Sequence, residues 1–261
     1  MSEAGLDATG RFTSRAESYE RGRPGYPVAL LDFCRTSLAL RAEHVIADVG
    51  SGTGILSELF LRNGNRVMAI EPNGDMRAAA ERRLGGNGGF NSVNARAEQT
   101  GLADRSVDFV VAGQAFHWFD RAMVRVEFSR ILRDQGWVVL VWNDRRTDAA
   151  FAAEYEAILK EFNSDLSEVS RRRRDATHEQ DLGDFFAPGQ YAVASFANER
   201  SFDLETLVAM ASSASYLPLP GDGRYAELVD RLGKAFTRYA EGGLVWQKYD
   251  TRAYYGRLTH V

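Results

Sequence analysis

The sequence predicts an α/β fold: a seven-stranded, mostly parallel sheet with helices between its strands. Three observations predict it. Short apolar runs alternate with helical segments of roughly ten residues, the spacing of βαβ units joined by right-handed crossovers. The run His44–Val49 ends in the turn Gly50-Ser51-Gly52-Thr53-Gly54, which opens a helix. Val107–Ala112, rich in Val and Phe, suits a strand buried on both faces.

After the first strand, Ile55–Asn63 reads as a helix with Ile55, Leu56, Leu59 and Phe60 on one face. Arg66–Ile70 is a second strand, and Asp75–Leu84 a helix stopped by Gly85-Gly86. Phe90–Val93 is a short third strand and Val107–Ala112 the fourth. A helix from Arg121 to Leu132 precedes the fifth strand, Trp137–Trp142. Thr147–Phe186 is mostly helical and highly charged, and its run Arg171–Arg174 reads as a solvated helix face. Tyr191–Ser195 and Leu244–Tyr249 are the last two strands, with helices over Leu204–Ser212 and Tyr225–Tyr239 between them.

A chain of 261 residues can bury a large core as one or two domains. Its formal net charge of −4 supplies no global attraction to nucleic acid. The one cysteine, Cys34, excludes an intramolecular disulfide and any cysteine-based zinc cluster. It sits among Leu30, Leu31 and Phe33, as a buried thiol does. The start of the chain lacks a basic segment followed by an apolar run, and no stretch approaches the ~20 apolar residues that cross a bilayer. The expected compartment is the cytoplasm, without membrane insertion.

Chemistry concentrates at Asp48-Val-Gly50-Ser-Gly52-Thr-Gly54. Glycines let backbone amides approach a ligand, and a helix N-terminus adds positive potential. The G-x-G-x-G spacing differs from the G-x-G-x-x-G of dinucleotide sites, and no Gly-Lys-Ser/Thr of a P-loop follows. Asp48 would repel a pyrophosphate and suits a ligand carrying an ammonium and a sulfonium. Glu71 ends the second strand 23 positions after Asp48 (71 − 48), where an acid accepts hydrogen bonds from both ribose hydroxyls.

These residues resemble motifs I and II of class I S-adenosylmethionine-dependent methyltransferases. Ala97-Glu98 with Gly101-Leu102, Ser106-Val107-Asp108, and Gln114-Ala115-Phe116-His117-Trp118-Phe119 are similar to later motifs of the type 11 subgroup, which includes ubiquinone-biosynthesis and trans-aconitate methyltransferases. Arg11-Phe12, Ala16, Tyr19 and Arg23-Pro-Gly-Tyr26-Pro27 resemble its N-terminal cap. Leu140–Asn143, Ser215–Leu217 and Tyr249–Thr251 extend the likeness across nearly the whole chain.

The resemblance implies a Rossmann-like fold in one catalytic domain, with the last strand of the seven antiparallel, helices on both faces of the sheet and a helical lid insertion. Residues 1–40 would form the cap and first helix, 41–146 the S-adenosylmethionine-binding core, 147–188 the lid, and 189–261 the remaining strands and helices. It also implies S-adenosylmethionine as cofactor, S-adenosylhomocysteine as product and a small-molecule acceptor. Asp48, Gly50, Ser51 and Gly52 would hold the methionine end, and Glu71 the ribose, with Pro72 and Met76 beside the adenine. Ala97 and Glu98 would border the adenine edge, Gln114 the floor by the methionine, and Tyr19 and Arg23 would close over the cofactor. One position departs from the pattern: Arg96 stands where many relatives place an acid that accepts from the adenine amino group, and a guanidinium has no acceptor.

Methyl transfer asks the protein to align nucleophile, methyl and sulfur and to exclude water. Trp118 and Tyr19 are candidates for an aromatic wall beside the sulfonium. His117 is either a site-lining group or a packing or capping histidine. Tyr216, Trp142 and Asn143 are further pocket candidates, and Arg145 and Arg146 could bind an acceptor carboxylate. No metal ligands are expected. The cap and lid, with polar faces and few buried contacts, are expected to order on a ligand. A catalytically silent cofactor-binding protein is the rival reading. A nicotinamide dehydrogenase lacks its glycine spacing, and a nucleic-acid methyltransferase lacks an Asn/Asp-Pro-Pro-aromatic run after the fourth strand.

Overall fold

The computed structural model describes residues 22–163, 179–186, 190–214 and 216–258. Along the chain run α1 (Val28–Ser37), β1 (Val45–Val49), α2 (Ile55–Arg62), β2 (Arg66–Ile70), α3 (Gly74–Leu84), β3 (Phe90–Val93) and β4 (Val107–Gly113). A 3₁₀ turn (Phe116–Trp118) leads to α4 (Arg121–Ile131), β5 (Leu132–Arg145), α5 (Ala150–Glu161), α6 (Glu179–Phe186) and β6 (Tyr191–Phe202). The described chain closes with α7 (Leu204–Ser212), α8 (Tyr225–Tyr239) and β7 (Val245–Gly256).

The seven strands form one sheet in the order β3-β2-β1-β4-β5-β7-β6. β1, β2, β3, β4 and β5 are parallel to one another, and β7 runs antiparallel to both β5 and β6. From β1 the chain winds outward to β2 and β3, then returns to β4 on the other side. The connections after β1 and β4 therefore diverge, leaving a crevice at their carboxyl ends, where open α/β sheets take ligands.

Strand alternation sets the two faces of the core. Phe109 and Val111 of β4 pack with Leu30, Leu31 and Cys34 of α1 and Leu56, Leu59 and Phe60 of α2. Val110 and Ala112 face the opposite layer, with Val124, Phe128 and Ile131 of α4 and Leu182, Phe185 and Phe186 of α6. Burial raises the Cys34 thiol to about 12, so it is a packing group and not a nucleophile.

A third cluster joins α5, α7 and α8 to the ends of β6 and β7. It contains Phe151, Tyr155, Ile158, Leu159, Met210, Leu228 and Leu232. This corrects the expectation of a lid with few buried contacts. Lys160 and Glu161 of α5 are exposed, while Phe151, Tyr155, Ile158 and Leu159 turn inward at helical spacing. The last strands also outrun their sequence reading. β6 continues from Ser195 to Phe202 and β7 from Tyr249 to Gly256, because the two pair with each other from Tyr191↔Gly256 to Phe202↔Val245. Cross-strand pairing keeps polar residues such as Asn198 and Arg200 extended where no apolar run announces a strand. Arg171–Arg174 lie outside the described residues.

Among the described residues no helix is long and apolar enough to cross a membrane. No group of three or more His, Cys, Asp or Glu side chains gathers as a metal site among them either.

Candidate active site

The crevice is an open cavity, with about 860 Å³ of empty space when the solvent at its mouth is counted in. Its walls come from the turn after β1, the end of β4, the end of β5, α5, α7, β7 and the segment Arg23–Tyr26. The turn after β1 is held open by backbone geometry. Gly50 and Gly52 have φ of +68° and +56°, the left-handed region that side chains resist. At Gly50 a Cβ would also sit 2.7 Å from that of Ala115, whereas at Gly52 the space above the backbone is open.

Beneath the turn, Asp48 is wholly buried. Its Oδ2 accepts a 2.6 Å hydrogen bond from Ser57 Oγ, and its Oδ1 has no partner among the described residues. Burial, assisted by repulsion from Glu71, raises this carboxyl to about 7. An unpaired, buried carboxylate oxygen at a cavity floor is costly in the empty protein and fits a cationic ligand group. Glu71 is held from both sides: Oε2 accepts from Gly52 N and Oε1 from Asn73 N, each at 2.9 Å. Burial raises its pKa as well. Asn73 caps α3 by accepting from Asp75 N and Met76 N, while Arg77 Nη1 donates to the carbonyls of Glu71 and Pro72 at 3.0 Å. The acidic rim is thus set before any ligand arrives.

The segment before α1 is fastened across the crevice. Gly25 O accepts from Asn143 Nδ2 at 3.2 Å and from Asn198 Nδ2 at 2.9 Å. Thr251 Oγ1 donates to Asn143 Oδ1 at 2.5 Å, fixing that amide, and Arg200 Nη1 donates to Arg23 O. The Tyr26 hydroxyl lies so close to Gly113 that a Cβ there would be 2.3 Å away. Gln114, at φ +55°, turns its Nε2 to Asn143 O at 3.3 Å. A non-glycine residue at that φ stores strain at the mouth of the crevice.

Of the residues singled out in the sequence, Arg23, Asp48, Gly50, Ser51, Gly52, Gln114, Asn143, Arg145 and Tyr216 line the cavity together. Glu71 stands on the rim beside Gly52. Met76 and Ala97 are buried, and Glu98 accepts from Asp120 N at 3.0 Å; with Pro72 they lie beyond the cavity wall. Arg96 is exposed. His117 and Trp118 lie beside one another in the 3₁₀ turn, ring centres 5.2 Å apart and tilted by 43°, and are not on the wall. Trp142 packs against Phe116 and Tyr254 instead of the cavity. Arg146 is exposed and paired with Asp148. Tyr19 lies outside the described residues. Tyr155, Leu159 and Met210 also line the cavity. They come from the inward faces of α5 and α7, and only the helical spacing of their apolar neighbours hints at them.

Residues 47–140 match the model of the family described as "Methyltransferase domain". The matched stretch runs from β1 into β5 and is what this chain shares with that family. An uncharacterized methyltransferase of Mycobacterium tuberculosis is 35% identical over 152 residues, 57% of this chain and 58% of the relative. The chain therefore spans 58% of the length of that relative in the match. An uncharacterized methyltransferase-like protein of Schizosaccharomyces pombe is 26% identical over 252 residues, 93% of both chains. Among solved structures, a protein of Anaeromyxobacter dehalogenans named provisionally as a type II methyltransferase superposes with a TM-score of 0.66 at 23% identity, covering 91% of this chain and 99% of that one. One from Anabaena variabilis, named provisionally as a methyltransferase of an antibiotic biosynthesis pathway, gives 0.58 at 22% identity over 91% and 99%. At these identities the likeness establishes the Rossmann-like fold.

Proposed function

We propose that the chain is an S-adenosylmethionine-dependent methyltransferase acting on a small-molecule acceptor, O- or C-directed, in the cytoplasm. The observation that carries this reading is Asp48, a buried carboxyl with one unpartnered oxygen on the floor of the cavity, directly under the glycine turn. The methionine end of the cofactor brings the positive charge such a group lacks. The sequence motifs point further, to the subgroup of ubiquinone-biosynthesis and trans-aconitate methyltransferases.

Asp48 faces the cationic end of the cofactor, while the open backbone at Gly52 lets the ligand approach the turn. Glu71, already oriented by two backbone amides, keeps lone pairs for the ribose hydroxyls. Pro72, Met76, Ala97 and Glu98 border the adenine; Gln114 forms the floor beside the methionine, and Tyr19 and Arg23 close from above. When bound, the cofactor would supply an electrophilic methyl group carried on a sulfonium. The protein's part is alignment and exclusion of water, effects that together supply roughly 7–11 kcal/mol in well-oriented reactions.

Replacing Glu71 tests the reading. Two charge-assisted hydrogen bonds at ~1.5–3 kcal/mol each make Glu71→Ala about 100-fold or more weaker for S-adenosylhomocysteine by calorimetry. Adenosine, which carries the ribose and adenine without the methionine, should lose affinity too, whereas S-methylmethionine, which has no ribose, should not. An affinity for S-adenosylhomocysteine within twofold of the wild type removes the ribose assignment.

A further inference from the structure

Beyond the glycine turn, the cavity continues to a wall of different chemistry. Arg145 of β5 reaches it because β-strand alternation turns Asn143 and Arg145 to one side and Arg146 to the other. Its strand partner in β7 is Tyr249, and the Tyr155 ring lies under the guanidinium at 5.7 Å from the centroid. Tyr216 lines the same end, and Leu159 and Met210 complete it with apolar surface.

Two donors here lack a good acceptor. Arg145 gives one nitrogen, Nη2, to Glu156 Oε2 at 2.9 Å, while its Nε is buried without a partner among the described residues. Tyr249, 3% exposed, donates its hydroxyl to Met210 Sδ at 3.4 Å, a weak acceptor. Burial raises this phenol to about 12, so it remains a donor throughout the physiological range. A buried guanidinium N–H left unpaired is costly, and a planar anion satisfies it with directed, charge-assisted bonds.

The geometry points to an anion subsite at Arg145 and Tyr249 that takes a carboxylate of the methyl acceptor, with the acceptor's apolar body against Leu159, Met210 and Tyr155. This rests on the methyl-transfer reading above and adds the acceptor class to it. The acidic floor at Asp48 and the cationic wall at Arg145 give the cavity two poles. Cofactor and acceptor are thereby sorted by charge, since a carboxylate acceptor is repelled from the Asp48 end and held at the other.

The test uses the full chain saturated with S-adenosylhomocysteine, so that the cofactor's own carboxylate occupies its place. Benzoate and hexanoate are titrated against benzamide and hexanamide by ligand-observed NMR. Each acid should bind at least tenfold more tightly than its amide. Arg145→Gln should abolish that difference while keeping its affinity for S-adenosylhomocysteine. Glu156→Gln, which removes the guanidinium's present partner, should preserve or strengthen acid binding. If Arg145→Gln does not fold, Tyr249→Phe serves in its place and should weaken the acids several-fold but not the amides. Acids and amides binding equally in the wild type, or a preference surviving in Arg145→Gln, overturns the subsite. Failure of S-adenosylhomocysteine to bind at all overturns the methyl-transfer reading instead. The acid–amide comparison repeated without S-adenosylhomocysteine then still decides the fate of the Arg145 subsite.

Discussion

Asp48 concentrates the trade between stability and function in this chain. Its carboxyl is raised from 3.8 to about 7 by burial first and by Glu71 second, against the opposing hydrogen bonds of Ser57. Between these two values the folded protein holds a proton that the unfolded chain has lost. This group's stabilising contribution is therefore fully present below about pH 4 and fades as pH rises through 7. Asp48→Asn should raise the melting temperature of the ligand-free protein at pH 8 by ~2–4 °C, the equivalent of about 1 kcal/mol. A lower melting temperature than wild type would show that the charge is already compensated. A cationic ligand needs the ionised form, so wild-type affinity for S-adenosylhomocysteine should increase up to about tenfold from pH 6 to 7.5 with release of a proton. Calorimetry in buffers of different ionisation enthalpy measures that proton, and Asp48→Asn should bind weakly with no pH dependence.

At the scale of elements, the clasp on Gly25 joins three strands that the sequence keeps far apart. Asn143 comes from β5, Asn198 from β6 and Thr251 from β7. Loss of one neutral hydrogen bond is worth ~0.5–1.5 kcal/mol. Asn198→Ala should accordingly speed dissociation of S-adenosylhomocysteine roughly 3–10-fold, measured by stopped-flow tryptophan fluorescence, and lower the melting temperature by ~2–4 °C. An unchanged dissociation rate would mean that the segment Arg23–Tyr26 is not what retains the ligand. The same elements show what was legible in the sequence. The turn at Gly50–Gly54, Asp48 and Glu71 could be read directly, because their chemistry depends on local spacing after a strand. Arg145 and Arg146 could not be told apart, because the apolar run stops at Trp142 while the strand continues to Arg145. Asn198 was invisible for a related reason: β6 past Ser195 is specified by its partner β7 and not by its own hydrophobicity. Tyr155, Leu159 and Met210 reach the cavity only through the packing of α5 and α7 on the ends of the last strands.

For the whole molecule, the central claim is that the cofactor sits in the crevice between the β1 and β4 connections, under the clasped segment. The parallel core and the strand number followed from the alternation of apolar runs and helices, since burial on both faces leaves that pattern in the sequence, whereas the antiparallel last strand was an expectation of the family resemblance. The location of the crevice follows from topology alone. Occupancy should rigidify what touches the ligand and leave the central sheet unaltered, because strands buried without ligand gain no further protection. Hydrogen–deuterium exchange with and without S-adenosylhomocysteine measures this most directly. We predict strong slowing in Gly50–Gly54 and in residues 22–27, weaker slowing in Ala150–Glu161, and least change in Trp137–Trp142. Slowing confined to residues beyond Arg146, with Gly50–Gly54 and residues 22–27 untouched, would contradict the placement of the cofactor.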